Sequence, residues 1–97
     1  EITFDGVYAS QANLAVGAVN ALLDHHIRLP EDVLLIAFDD LVDAMNPRIG
    51  ISTMRQPVVE KGQALVHALI ELIEETTQPP IQRFLATELI IRETCGG

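Results

Sequence analysis

The segment Leu29–Asp40 constrains the fold more than any other, because it ends a helix, forms an uninterrupted apolar run and finishes on two carboxylates. Pro30 ends the preceding helical pattern, since proline lacks the N–H that a helix interior requires. The run Val33–Phe38 has no polar alternation, as expected of a parallel strand covered on both faces. Asp39 and Asp40 then follow at the strand's carboxyl end, where open α/β sheets hold their ligands. The segment therefore predicts an α/β sheet with a charged functional edge.

The charge of the chain argues against direct binding to nucleic acid. Its formal net charge is −8, and its six Lys and Arg residues are scattered singly along 97 residues. Proteins that bind a phosphate backbone meet it with clustered basic residues. The length allows one modest domain or part of a larger one. We expect no DNA contact from this segment.

Composition also argues against a disulfide, a metal centre and a membrane span. The single Cys95 has no partner for an internal disulfide and no Cys or His neighbour at metal-ligand spacing, which fits a reducing compartment. No apolar run approaches the ~20 residues that a membrane span requires, and no signal-peptide pattern is present. We expect a soluble protein with no metal, cofactor or membrane partner. Because the chain opens at Glu1 without an initiator Met, we also expect residues upstream.

The first half of the chain predicts a βαβ unit. Gly6–Ala9 is a short apolar strand, and Ser10 is placed to cap the helix that follows. A parallel crossover leads from this strand to Val33–Phe38, so the carboxyl ends of both strands would share one sheet edge. Two adjacent apolar stripes on the helix are formed by Leu14, Ala18 and Leu22 and by Ala15, Val19 and Leu23. The polar residues expected at the shared edge are Ser10, Gln11, Asp39 and Asp40.

The second half predicts a long amphipathic helix between short strands. Apolar periodicity runs over Val58–Glu75, where Pro57 can open a helix and Pro79-Pro80 ends it. Three parallel strands and two helices leave one sheet face poorly covered, so we expect this helix to pack on residues outside the chain. The predicted strands are Ile51–Met54, Gln82–Ala86 and Glu88–Arg92.

Five motifs carry a family resemblance that spans nearly the whole chain. They are Asp5-Gly6-Val7-Tyr8-Ala9 with Leu14–Ala18 downstream, Leu29–Val33, Phe38-Asp39-Asp40, Ile51–Pro57 and Glu88–Glu93. Their order and spacing resemble the C-terminal part of the lactose/galactose repressor family, which comprises bacterial transcription regulators. The sequence departs from the family pattern at Ser10-Gln11-Ala12, where Ala-Asn-Asp is common, and at Ala37, where Gly is usual.

The resemblance implies part of a two-lobed periplasmic-binding-protein-like fold, α/β in class, with parallel sheets flanked by helices. Residues 1–56 would lie mostly in the C-terminal lobe, the helix of residues 57–80 in the N-terminal lobe, and residues 81–97 would form a crossover and the final strand. A hinge would lie near Arg55-Gln56 and Ala86-Thr87, where a few backbone angles could change on closure. Operator DNA would be bound by an N-terminal headpiece that is absent from this segment.

Asp39 is the strongest ligand candidate, because an ionised carboxylate can accept hydrogen bonds from sugar hydroxyls or an amine. The alternative interpretation is that the carboxylate caps a following turn. For Asp40 this alternative is the favoured one. Gln11 either contacts the ligand or is simply a polar residue at the start of the helix. Ser10 is interpreted as a helix cap in preference to a ligand contact. Tyr8 could stack on a ligand, although a core tyrosine is the simpler interpretation.

The resemblance also implies a homodimer in which the first long helix helps form the subunit interface. Val16 and Asn20 lie off the predicted core stripe of that helix, and Met45 and Asn46 lie in the loop after the second strand. These four residues are the interface candidates.

No catalytic constellation is found in the sequence. Asp39 and Asp40 are adjacent on an extended chain and so point apart, which is poor geometry for a glycosidase, and Asp43 does not complete the spacing of a calcium loop. His25 and His26 are neighbours in a helix, so their side chains point in different directions and do not form a metal or catalytic pair. Positive side chains are favourable at a helix C-terminus, which explains both histidines.

Two functions remain open. The first is the effector-sensing and dimerisation part of a cytoplasmic DNA-binding regulator, a repressor, that responds to a small sugar-like or nucleoside-like ligand and catalyses nothing. The alternative is a periplasmic solute-binding protein of a sugar transporter. The crossover Arg55-Gln56-Pro57 and the motif Leu29–Val33 favour the regulator.

Overall fold

The computed structural model describes residues 3–40 and 47–97. The described elements form a four-stranded sheet in the order β1-β2-β3-β4, in which β1, β2 and β3 are parallel and β4 is antiparallel to β3. The predicted α/β class is confirmed. The elements are β1 (Gly6–Ala9), α1 (Ala12–Asp24), β2 (Leu34–Phe38), β3 (Ser52–Arg55), α2 (Val58–Ile73), β4 (Glu88–Ile90) and a short 3-10 helix, Glu93–Cys95.

The register of β1 and β2 brings their carboxyl ends together. Ala9 at the end of β1 pairs with Ala37, one residue before β2 ends at Phe38. Phe38 in turn pairs with Met54 of β3. The βαβ unit expected from the sequence is therefore formed, and residues that follow β1 and β2 share one edge of the sheet.

The core of this part lies between α1 and one face of the sheet. Ala12, Ala15 and Val19 are the buried residues of α1, and Leu35 and Ala37 are fully buried in β2. The opposite face is open, since Leu34 is 48% exposed. The expectation of a poorly covered sheet face is confirmed for the described residues of the first unit.

The chain divides into two compact units. The first unit comprises Glu1–Arg55 and Glu88–Gly97, and the second comprises Gln56–Thr87. The second unit contains α2, none of whose residues is buried. Its apolar residues that are exposed include Leu65, Val66, Leu69, Leu72 and Ile73.

Helix α2 ends two residues earlier than predicted. Glu75 has a φ of +58°, a left-handed conformation that no α-helix continues. Its N–H donates to the carbonyl of Leu72, and the N–H of Thr76 donates to that of Glu71. These two bonds satisfy carbonyls that the last turn would leave unpaired.

Three local predictions were wrong. Gln82–Ala86 is not a strand, because β4 pairs with β3 only over Glu88–Ile90 and no described strand lies beside the preceding residues. Ser10 does not cap α1, whose N-cap is Gln11 without a side-chain hydrogen bond. Leu14 is 54% exposed, because α1 turns its small residues and not Leu14 toward the sheet.

Candidate functional site

The carboxyl ends of β1 and β2 gather the polar residues that the sequence predicted there. Ser10 and Gln11 follow β1 directly and are exposed, and Asp39 and Asp40 follow β2 and are half-buried. Since Ala9 and Ala37 are paired neighbours in the sheet, both groups lie at the same edge. We call this region the carboxyl edge.

Asp39 is fixed through its backbone while its side chain remains available. Its N–H donates to the carbonyl of Met54 at 2.8 Å, which extends the ladder between β2 and β3. Its φ of +82° is one that Asp and Asn tolerate better than bulkier residues. Oδ1 accepts a bond of 2.9 Å from the N–H of Asp40, and Oδ2 accepts none from any described residue. Asp39 can therefore accept hydrogen bonds from a ligand.

Asp40 is used by the protein itself. Its side chain is 11% exposed, and Oδ1 accepts hydrogen bonds from Oγ1 of Thr53 at 2.8 Å and from Nη1 of Arg92 at 2.9 Å. Oδ2 accepts a hydrogen bond from Nε of Arg55 at 2.9 Å and forms an ion pair with Nη2 of Arg55 at 2.7 Å. These donors, Arg92 foremost, hold the pKa of Asp40 well below its usual range. Asp40 was predicted to cap a turn, but it instead forms an ion-pair cluster. The cluster joins the end of β2 to β3 and to the residues after β4.

The C-terminal residues complete this cluster, and sequence reasoning did not find them. Nη1 of Arg92 also donates to the carbonyl of Ile51 at 2.8 Å, and the N–H of Arg92 donates to Oγ of Ser52 at 2.8 Å. Thr94 is fully buried; its hydroxyl donates to the carbonyl of Leu35 at 2.7 Å and accepts from the N–H of Ser52 at 2.8 Å. The only signal in the sequence was a basic residue at the end of an apolar run.

Tyr8 is not a core residue, and the core interpretation was wrong. Its side chain is 61% exposed and lies on the open face of the sheet, because the covering helix packs on the other face. It lines a shallow apolar groove of about 380 Å³ together with Leu34, Ile36 and Cys95. Stacking on a ligand stays a prediction.

The hinge candidates lie where the chain passes between the two units. The first unit ends at Arg55 and resumes at Glu88, and these two residues are paired across β3 and β4. Nη1 of Arg55 lies 3.9 Å from Oε2 of Glu88. Gln56 and Ala86-Thr87 lie just beyond these points, in the second unit.

The interface candidates are only partly described. Val16 is half-buried and packs against the core cluster, so its predicted position off the core stripe was wrong. Asn20 is half-buried, and its Oδ1 is buried without a hydrogen-bond partner in the described part of the chain. Met45 and Asn46 lie outside the described residues.

Within residues 3–40 and 47–97, no three or more His, Cys, Asp or Glu side chains group to hold a metal ion. Over the same residues, no helix has the length and apolarity needed to cross a membrane. Nδ1 of His25 lies 2.8 Å from the carbonyl oxygen of Ala21, which fits the helix-end interpretation.

Comparison with known proteins gives consistent matches. The family model described as the periplasmic binding protein-like domain matches residues 3–95. The HTH-type transcriptional regulator RegA of Clostridium saccharobutylicum is 33% identical over 91 residues, which cover 94% of this chain and 27% of that protein. The ribose operon repressor of Halalkalibacterium halodurans is 30% identical over 95 residues, which cover 98% of this chain and 29% of that protein. The chain thus spans under a third of the length of these curated relatives.

Solved structures agree. The transcriptional regulator CelR in complex with cellobiose superposes with a TM-score of 0.81 and 28% identity, covering 93% of this chain and 28% of that one. A LacI family transcriptional regulator from Arthrobacter sp. FB24, in complex with lactose, gives a TM-score of 0.78 and 30% identity, covering 94% of this chain and 35% of that one. These matches confirm the resemblance and the periplasmic-binding-protein-like fold, and they favour the regulator over the transport protein.

Proposed function

The chain belongs to the periplasmic binding protein-like domain family, and on that premise we propose that it is the C-terminal part of the effector domain of a DNA-binding transcription regulator, a repressor. The observation that carries the proposal is the geometry of Asp39. Its backbone is fixed by β3, and Oδ2 accepts no hydrogen bond from a described residue at the edge where ligands of open α/β sheets bind.

The effector is a small sugar-like or nucleoside-like molecule. Asp39 accepts hydrogen bonds from its hydroxyl groups, and Gln11, whose amide both donates and accepts, contacts it from the end of β1. Ser10 and Tyr8 are further contacts. The complexes of CelR with cellobiose and of the Arthrobacter regulator with lactose support a saccharide.

Binding is converted into a change of lobe angle. In this proposal the first unit belongs to the C-terminal lobe and α2 to the N-terminal lobe, and the hinge consists of Arg55-Gln56 and Ala86-Thr87. The boundaries of the two compact units, after Arg55 and before Glu88, support that placement of the hinge. Closure on the effector then changes the grip of a separate headpiece on operator DNA.

The regulator acts as a cytoplasmic homodimer and catalyses no reaction. The net charge of −8 supports the assignment of DNA contacts to another segment. Val16, Asn20, Met45 and Asn46 are proposed at the dimer interface. The buried Oδ1 of Asn20 supports this, because a second subunit could supply the hydrogen bond that the described residues do not.

The proposal is tested by DNA binding of the full-length protein to the DNA that flanks its own gene. A panel of sugars, polyols and nucleosides is added one by one in a mobility-shift titration. We expect one of them to change the apparent affinity about tenfold, a usual size for allosteric coupling. Asp39→Ala should bind the same DNA equally well and lose the response, whereas the control Asp32→Ala, which alters an exposed ion pair with Arg28, should retain it.

If the protein binds a sugar but no DNA, the result supports the alternative function, a periplasmic solute-binding protein. If Asp39→Ala responds like the wild type, the effector site has been placed wrongly.

A further inference from the structure

We propose that Arg55 is a positioning residue whose side chain couples the carboxyl edge to the two points where the chain leaves and re-enters the first unit. The inference rests on the proposed function and deepens it, since it names the side chain through which a change at the edge reaches the hinge. It is carried by the contacts of Arg55 with Asp40 and with Glu88.

Arg55 lies where the chain leaves the first unit. It is the last residue of β3, and Gln56 begins the second unit. The chain returns at Glu88, the first residue of β4, which is paired with Arg55 in the antiparallel register. We call the two chain segments at these points, residues 53–59 and 84–90, the crossover segments. Both therefore start from one residue pair, and the side chain of Arg55 reaches back from that pair to the carboxyl edge.

The Asp39-Asp40 dipeptide is attached to the last two residues of β3. The N–H of Asp39 donates to the carbonyl of Met54 at 2.8 Å. Oδ2 of Asp40 accepts a hydrogen bond from Nε of Arg55 at 2.9 Å and forms an ion pair with its Nη2 at 2.7 Å. Because the two aspartates are consecutive, a shift of Asp39 on ligand binding is passed to the carboxylate that Arg55 binds.

The two contacts of Arg55 differ in strength. The Asp40 side chain is 11% exposed and is approached by two guanidinium nitrogens, which makes a strong charge-assisted contact. The Glu88 side chain is 69% exposed and lies 3.9 Å from Nη1 of Arg55, so this ion pair is weak in water. Loss of the Asp40 contact should therefore loosen the crossover segments more than loss of the Glu88 contact.

Arg92 binds the same carboxylate but has a different role. It reaches Oδ1 of Asp40 at 2.9 Å, and it also donates to the carbonyl of Ile51 and the hydroxyl of Thr53, near the start of β3. Arg92 therefore fixes Asp40 to the body of the sheet. Arg55 ties Asp40 to the end of the strand from which the chain departs.

The test is hydrogen exchange of the full-length protein, followed by mass spectrometry without any ligand. Arg55→Gln removes the charge and the guanidinium group, and we expect it to raise exchange in the crossover segments about tenfold, the usual effect of losing one charge-assisted contact. Glu88→Gln should raise it only about twofold. Residues 12–24 should exchange at the wild-type rate in both variants. The matched control is Arg28→Gln, which breaks the exposed pair with Asp32 and should leave the crossover segments unchanged.

Salt distinguishes an electrostatic contact from a packing contact. Ions screen exposed charges, so an increase from about 0.05 M to about 0.5 M salt should raise exchange in the crossover segments of the wild type about threefold. Arg55→Gln lacks the charge and should show little dependence on salt in the same segments.

A second measurement connects the contact to regulation. The affinity of each protein for the DNA that flanks its own gene is measured without sugar and with saturating cellobiose or lactose. We expect Arg55→Gln to reduce the sugar-dependent change shown by the wild type at least about threefold, because the shift at the edge no longer reaches the crossover segments. Arg28→Gln should keep the full change.

Equal exchange of the crossover segments in the wild type and Arg55→Gln would overturn the inference. A rise of the same size in residues 12–24 would also overturn it, because that is general destabilisation, and so would a full sugar response in Arg55→Gln. If neither sugar changes DNA binding, that result counts against the sensing proposal alone, and hydrogen exchange still decides the role of Arg55. If Arg55→Gln fails to fold, Arg55→Lys serves instead, since it keeps the charge without the planar guanidinium and should raise exchange about threefold.

Discussion

Arg92 donates from Nη1 to Oδ1 of Asp40 at 2.9 Å, across 52 positions of sequence. This bond ties the residues after β4 to the end of β2, and it lies one residue from the proposed ligand contact Asp39. The stability of the sheet and the position of the carboxyl edge therefore depend on the same cluster.

Removal of the Asp40 carboxylate should destabilise the protein. Asp40→Ala leaves the guanidinium of Arg92 and the hydroxyl of Thr53 without their shared acceptor, and we expect a loss of about 2–3 kcal/mol in the free energy of unfolding. The measurement is urea unfolding of the full-length protein. Asp32→Ala is the control, because its ion pair is solvent-exposed and should contribute little. Equal effects of the two substitutions would contradict a structural role for the cluster.

The contribution of Asp40 should depend on pH with a definite sign. Its pKa in the folded protein is held below its usual range, chiefly by the hydrogen bond from Arg92. Its stabilisation is therefore fully present above the pKa of an unfolded aspartate and is lost as the pH falls below that value. The difference in urea midpoint between the wild type and Asp40→Asn should shrink between about pH 7 and about pH 3. A difference that grows on acidification would contradict the assignment.

The hydroxyl of Thr94 should matter more than its methyl group. Thr94→Val removes the acceptor of the Ser52 N–H and leaves the carbonyl of Leu35 only the weak donor Sγ of Cys95 at 3.3 Å, which should cost about 1–3 kcal/mol. Thr94→Ser keeps both hydrogen bonds and loses one methyl group, which should cost about 1 kcal/mol. Thermal unfolding of both variants compares the two losses. If Thr94→Val were as stable as Thr94→Ser, these hydrogen bonds would not be what holds the C-terminal residues against the sheet.

The proposed dimer can be tested on a single helix. Asn20→Arg places a charged side chain at the proposed interface and should shift the full-length protein toward monomer, as measured by light scattering. The control is Asn13→Arg, the same substitution at an exposed position of α1. If both variants remain dimers, α1 does not form the interface at Asn20.

The sequence was sufficient for the parts of the fold that depend on local pattern. Val33–Phe38 and Val58–Glu75 show clear apolar runs or periodicity, and each corresponds to an observed element within one or two residues. The shared edge of β1 and β2 followed from the parallel crossover.

The remaining features depend on contacts between distant positions. The hydrogen-bond partners of Asp40 lie 13, 15 and 52 positions away, so no spacing rule could gather them. Gln82–Ala86 has the composition of a strand but no described strand beside it. Tyr8 is exposed because α1 covers only one face of the sheet. Which face is covered depends on how the elements pack, and the residues near Tyr8 do not determine it.

The most direct measurement of the account's central claim is thermal unfolding of the full-length protein with and without neutral saccharides, since a ligand that binds only the folded state raises Tm. We expect one saccharide to raise Tm by about 3 °C or more. Asp39→Ala should lose that rise, and Asp32→Ala should keep it. A rise of equal size in Asp39→Ala would contradict the claim that Asp39 binds the effector at the carboxyl edge.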